Sequence, residues 1–106
     1  MENGIGGFVF MSEKDIEHYL RQRVKMFGGI AYKFVSPGNT GAPDRLVLFP
    51  GGRIAFVELK APGKKPTSLQ LLQQRRIKDL GFEVLVIDNK ADVDKFIQDH
   101  MEVKQK

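Results

Sequence analysis

Apolar positions along the chain fall into two kinds of pattern. Ile16, Tyr19, Leu20, Val24 and Phe27 recur at helical spacing, as do Leu69, Leu72, Ile77 and Leu80, and then Val93, Phe96 and Ile97. Ile30 to Val35, Arg45 to Phe49, Arg53 to Lys60 and Phe82 to Ile87 are short apolar runs of strand length. The breaks between them carry turn chemistry. Ser12 stands three residues before Asp15, a capping-box start for the first helix, and Gly28-Gly29 stops it. Pro50-Gly51-Gly52 joins two strands as a hairpin. Thr67 or Ser68 caps the second helix, which ends at Gly81, and Asp88 or Asn89 leads into the third. The predicted order is α-β-β-β-α-β-α, an α/β fold with a mixed sheet flanked by helices.

At 106 residues the chain makes one domain. Its boundaries are read as a glycine-rich apolar leader of uncertain role over 1–11, a domain over 12–101 and a polar, fraying tail over 102–106. No apolar run approaches the roughly 20 residues that span a bilayer, and no charged n-region precedes an apolar stretch. A cytoplasmic protein with no membrane partner is therefore expected. The absence of cysteine excludes disulfides, thiolate metal sites and thiol nucleophiles, and two histidines make a histidine-built metal site improbable. A metal here would sit on oxygen ligands.

Charge is unevenly spread. The span 61–80 holds Lys64, Lys65, Arg75, Arg76 and Lys78 against Asp79 alone, and so accounts for the whole net charge of +4. Such a segment fits a polyanionic partner, or a solvated helix face.

With the hairpin centred on Gly51, Phe49 faces Arg53, Val47 faces Ala55 and Asp44 faces Glu58. Two carboxylates then oppose each other with Cβ atoms ~5 Å apart, which destabilises a sheet unless something binds between them. Lys60 shares their face. The residues leave open a divalent-cation site and an ion-pair cluster neutralised by Lys60. Glu13 lies within the apolar stripe of the first helix and Glu17 at its edge; a first-turn glutamate also suits the helix dipole. Gln70 sits in the first turn of the second helix and Gln73 within its stripe, each able to bond a loop or a ligand.

These residues carry a resemblance. Gly41-Ala42-Pro43-Asp44, then thirteen residues, then Glu58-Leu59-Lys60 resembles the PD-(D/E)XK nuclease signature, and the small phage-type VRR-NUC domain within it. The segment Gly28 to Asn39, the loop Ala61 to Thr67, and Gln70 eleven residues before Gly81 extend the likeness over about residues 12–98. The resemblance implies a restriction-endonuclease-like αβββαβ core and hydrolysis of DNA phosphodiester bonds with Mg2+ or Mn2+. It implies a catalytic set of Asp44, Glu58, Lys60 and Gln70, the last orienting Lys60 or the phosphate. Metal would rest on Asp44, Glu58 and the Leu59 carbonyl. Glu13, whose spacing to Ile16 and Leu20 fits the family better than that of Glu17, would hold a second ion or its water. Lys64, Lys65, Arg75 and Arg76 would grip DNA phosphates. The expected substrate is branched DNA, above all a Holliday junction, cut by a homodimer whose contact would use Ile5, Phe8, Val9, Phe10 and Phe34. General nicking of duplex DNA is an alternative, as is a non-catalytic DNA-binding protein on the same fold.

Overall fold

The computed structural model describes residues 11–104. Its elements are α1 (Glu13–Met26), β1 (Ile30–Lys33), β2 (Arg45–Phe49), β3 (Arg53–Leu59), α2 (Ser68–Asp79), β4 (Glu83–Ile87) and α3 (Lys90–Lys104). The leader, with Ile5, Phe8, Val9 and Phe10, lies outside the described residues. No helix among the described residues is long and apolar enough to cross a membrane.

Local chemistry explains the boundaries. The Ser12 hydroxyl accepts the Asp15 N–H at 3.1 Å and the Asp15 carboxylate accepts the Ser12 N–H at 2.9 Å, closing the predicted capping box. Thr67 and Gln70 repeat the device at α2, with bonds of 3.2 and 2.9 Å. Gly51 and Gly52 take φ of 88° and 81° in the β2–β3 turn, values that L side chains resist. That turn sets the predicted register, Phe49 opposite Arg53 and Val47 opposite Ala55.

The sheet runs β1-β2-β3-β4, antiparallel except for the parallel β3–β4 pair that the α2 crossover requires. Strand parity gives it two unlike faces. Val47, Phe49, Ala55, Val57, Leu59 and Ile87 are buried on the face that meets Ile16, Leu20 and Val24 of α1 and Val93, Phe96 and Ile97 of α3. Each such side chain stabilises the fold by about 1.5–3 kcal/mol. The other face carries Leu46, Leu48, Ile54, Phe56 and Glu58 and is covered by α2 only in part.

Several expectations change here. β1 ends at Lys33, where its pairing with β2 stops opposite Arg45; Val35 is exposed, and Pro37 beyond it has no N–H to continue a ladder. The proposed stripe of α2 is mostly outside: Leu69, Leu72 and Leu80 are exposed, Ile77 is half-buried, and Gln74 is the buried residue of the helix. Gln73, expected in the stripe, is half-buried beside it. Phe82 precedes β4 and is exposed rather than part of a buried strand. The third helix continues through Lys104, past the polar boundary at 102, since Glu, Val and Lys tolerate helix well enough once α3 is anchored.

Candidate active site

The candidate residues converge at one end of the sheet. Asp44 immediately precedes β2, Glu58 is the penultimate residue of β3, Lys60 follows β3, and Gln70 lies in the first turn of α2. The loop before Asp44 is pressed against α2 at Gly41, where a Cβ would meet the Leu69 and Gln70 backbone at 2.9–3.0 Å and φ is 93°. Only glycine fits there, so the Gly41–Asp44 segment and the start of α2 are locked together.

Each candidate has a definite partner. The Leu59 N–H donates to Asp44 Oδ2 at 2.8 Å, tying the aspartate to the end of β3. The Gln70 amide donates to Glu58 Oε2 at 2.8 Å, and Lys60 Nζ stands 3.6 Å from the same oxygen. Gln70 was expected to orient Lys60 or a phosphate; its bond goes to Glu58, because the N3 position of α2 points onto the end of β3.

Glu58 is 2% exposed and its Oε1 has no hydrogen-bond partner. Burial in the sheet end pushes its carboxyl up to about 7, the nearby Asp44 charge adds to this, Lys60 opposes it, and Glu13 adds a smaller push. This is the electrostatic signature of a group kept at a cost to the fold.

The helix-one acids separate cleanly. Glu17 is paired with the buried Arg45 guanidinium, which also donates to the Ala31 carbonyl at 3.3 Å. Glu13 is exposed and within electrostatic reach of Glu58. Arg45 is a structural participant that the sequence motifs did not reveal, and Gln74 is buried with its Nε2 unpartnered. Arg45 was legible by parity, since it shares its strand face with the core residues Val47 and Phe49.

The basic residues do not form one patch. Lys64 and Lys65 are exposed on the loop that leaves Lys60, and Asp88 holds that loop by accepting the Gly63 N–H at 3.0 Å. That bond, with help from the Asn89 amide, keeps the Asp88 carboxyl below the usual carboxylate range. Arg76 lines a hollow with Phe34, Asn39 and Gln73, whereas Arg75 lines another with Leu71, Leu72 and Lys78. Consecutive helix positions diverge by about 100°, so the two arginines serve different sides. Phe34, suggested for a dimer contact, packs edge-on against Phe56 with centroids 5.5 Å apart.

An oxygen-loving divalent cation fits this end of the sheet. The orphaned, buried Glu58 Oε1 lacks the donor its position calls for, and Asp44 brings a second carboxylate. Among the described residues no cluster of three or more His, Cys, Asp or Glu side chains gathers into a ligand set. Two carboxylates supplemented by a carbonyl and waters is a set that magnesium accepts.

No family model matches the sequence. A solved chain described as a "VRR_NUC domain" superposes with a TM-score of 0.76 and 37% identity, covering 81% of this chain and 94% of that one. A phage protein named "Putative nuclease p44", from Acyrthosiphon pisum secondary endosymbiont phage 1, is 56% identical over 77 residues, 73% of this chain and 83% of that protein. The chain belongs to the VRR-NUC family of phage-type nucleases.

Proposed function

We propose that this chain is a Mg2+- or Mn2+-dependent endonuclease that hydrolyses phosphodiester bonds of DNA, with a preference for branched DNA. The observation that carries the reading is the Glu58 carboxylate: buried beside a second acid, with one oxygen held by Gln70 and Lys60 and the other left without a partner. A fold does not retain such a group for stability, because an unsatisfied buried acceptor costs about 1–3 kcal/mol.

Asp44, Glu58 and the Leu59 carbonyl would hold the ion, and Glu13 would hold a second ion or its water. The chemistry a bound ion supplies there is polarisation of the scissile phosphate and a lowered pKa for the attacking water. The chain's own groups do the rest. The Leu59 N–H fixes the Asp44 carboxylate, leaving its other oxygen for the site. Gln70 holds Glu58 in one rotamer. Lys60 presents its ammonium to the phosphate oxygens as negative charge builds on them. Lys64, Lys65 and Arg76 would bind flanking phosphates without reading sequence.

Two symmetric cuts in a junction need two sites, so the active form is taken as a homodimer. The uncovered Leu71 and Leu72 of α2, exposed by 54% and 53%, support a second copy as their cover better than Phe34 does.

The test is incubation of the pure protein with supercoiled plasmid, linear duplex and a synthetic four-way junction, with Mg2+, with Mn2+ and in excess chelator. Cleavage that needs the ion and favours the junction is expected. Full cleavage in chelator overturns the metal dependence, and equal rates on duplex and junction leave a general nickase. Binding with no cleavage under any ion leaves the non-catalytic alternative. Light scattering of the active sample reads the dimer; an active 12.0 kDa species overturns it.

A further inference from the structure

A second basic surface lies away from the span 61–80. His18, Arg21, Gln22 and Lys25 occupy one face of α1, and across a groove from them stand Tyr32 and Lys33 of β1. Arg45 closes the groove at one end, and no acidic side chain lines it. Among the described residues Arg21, Lys25 and Lys33 form no ion pair, while Arg45 is already committed to Glu17.

Two features argue against a merely solvated helix face. The cations converge from two elements, since Lys33 comes from the strand facing α1 rather than from α1 itself. The acids of the first two turns, Glu13, Asp15 and Glu17, and the Arg23–Asp94 pair at 3.3 Å, lie outside the groove, so the charge of α1 is sorted by face. The groove is also placed usefully. α1 begins at Glu13, within electrostatic reach of Glu58, and Lys33 pairs with Arg45 at the end of the sheet that holds the candidate active site, so the groove starts near that site on the α1 side of the sheet. From there it runs along α1, where Arg21 and Lys25 are separated by one turn, about 6 Å.

We propose that the α1–β1 groove binds the sugar–phosphate backbone of the substrate strand or arm that leaves the active site along α1. The proposal rests on the nuclease reading above and adds a contact surface that the basic span 61–80 does not supply.

The experiment compares wild type with the triple variant Arg21→Gln, Lys25→Gln, Lys33→Gln, all exposed positions, and with Lys95→Gln on α3 as a control. Binding to a labelled duplex and a labelled four-way junction is followed by fluorescence anisotropy in calcium over a range of salt. Thermal melts check that each variant is folded. If each cation neutralises one phosphate, the slope of log K against log salt falls by about 2–3 in the triple variant, with no change in Lys95→Gln. An unchanged slope and affinity in a folded triple variant, with wild type binding and cutting normally, overturns the groove and leaves the nuclease reading standing. Wild type that neither binds nor cuts any of these DNAs overturns both. Should the triple variant fail to fold, Lys33→Gln alone must lower the slope by about 1, and an unchanged slope there overturns the proposal.

Discussion

The two ends of β3 hold similar ingredients and treat them in opposite ways. At its start, Arg53 donates to the His100 carbonyl at 2.8 Å and to His100 Nδ1 at 3.2 Å, and His100 Nε2 meets Glu83 Oε1 at 2.8 Å. With Nδ1 facing the Arg53 guanidinium and Nε2 facing the Glu83 carboxylate, the three side chains form a complete hydrogen-bonded chain. The imidazole stacks on Phe49 with centroids 4.0 Å apart and sits edge-on to Phe96. At the other end, Glu58, Asp44 and Lys60 leave one buried oxygen unbonded and two acids in mutual repulsion. A satisfied network rigidifies a fold, whereas an unsatisfied buried acid is costly to keep in a low-dielectric site. The Arg53 end anchors α3, and on the proposed function the Glu58 end carries the chemistry.

The largest expected effect breaks that contrast at the chemical end. Glu58→Gln and Lys60→Ala should each lower cleavage by 10²–10³-fold or more, about 3–4 kcal/mol of barrier. Neither should destabilise the fold by more than about 1 kcal/mol, because Glu58 can take up a proton when Lys60 is gone. Plasmid nicking rates read beside thermal melts decide this. A collapse of stability in either variant would make the cluster structural, like its counterpart at Arg53.

The titration of Glu58 gives a pH signature. Its carboxyl is raised from the ordinary 4.5 to about 7 in the folded chain. Between those values the unfolded chain releases the proton while the folded chain keeps it. Stability therefore falls as pH rises from about 4.5 to about 7, by roughly 3 kcal/mol, and is flat above. Glu58→Gln should abolish that slope and exceed wild type in stability at pH 8. Mg2+ or Mn2+ should raise the wild-type melting temperature more at pH 8 than at pH 5, with chelator reversing the gain and the Gln variant showing none.

The opposite end should answer in the opposite sense. His100→Ala removes a stacked, doubly bonded ring and leaves Arg53 and Glu83 to find water, at a cost of about 2–3 kcal/mol. Cleavage per folded molecule should stay unchanged. Urea unfolding and nicking assays on the same sample test both halves; lost activity without lost stability would show that the two ends are coupled.

Much of this contrast could be read before the structure was known, and the unread part has a physical reason. The Gly51-Gly52 turn fixes one register, so Asp44 and Glu58 come together from sequence alone. The two capping boxes mark helix starts by short-range chemistry. What periodicity cannot tell is whether a partner waits for an apolar face: α2 repeats its leucines correctly, yet Leu69, Leu72 and Leu80 meet solvent, and Gln74 turns inward. Nor can it tell which of several donors reaches a buried acid. The orphaned Glu58 oxygen, the Glu17–Arg45 pair and the bond from Gln70 to Glu58 depend on tertiary placement. The His100 network escaped the sequence reading for the same cause, since its members are 17 to 47 residues apart.

Gln70 belongs to both categories and gives the finest test. Its Oε1 accepts the Thr67 N–H at 2.9 Å, half of the box that starts α2, while its amide donates to Glu58. Gln70→Ala loses both bonds. The lost box should cost about 1 kcal/mol, and cleavage should fall on the order of tenfold as Glu58 loses the donor that holds its rotamer. Gln70→Glu separates the two roles. Glutamate at N3 closes a capping box as well as glutamine does, and its charge suits the helix start, so the stability of α2 should be retained. The same carboxylate faces Glu58 with no proton to give, adding repulsion to an acid already pushed up by Asp44. The Gln70→Glu variant should therefore melt close to wild type at pH 5 and cleave no better than the alanine variant at pH 8, and its pH-dependent loss of stability should extend to higher pH than in wild type. If Gln70→Glu instead cleaves like wild type, the amide contributes only through the cap, and Gln70 moves to the structural side of the comparison.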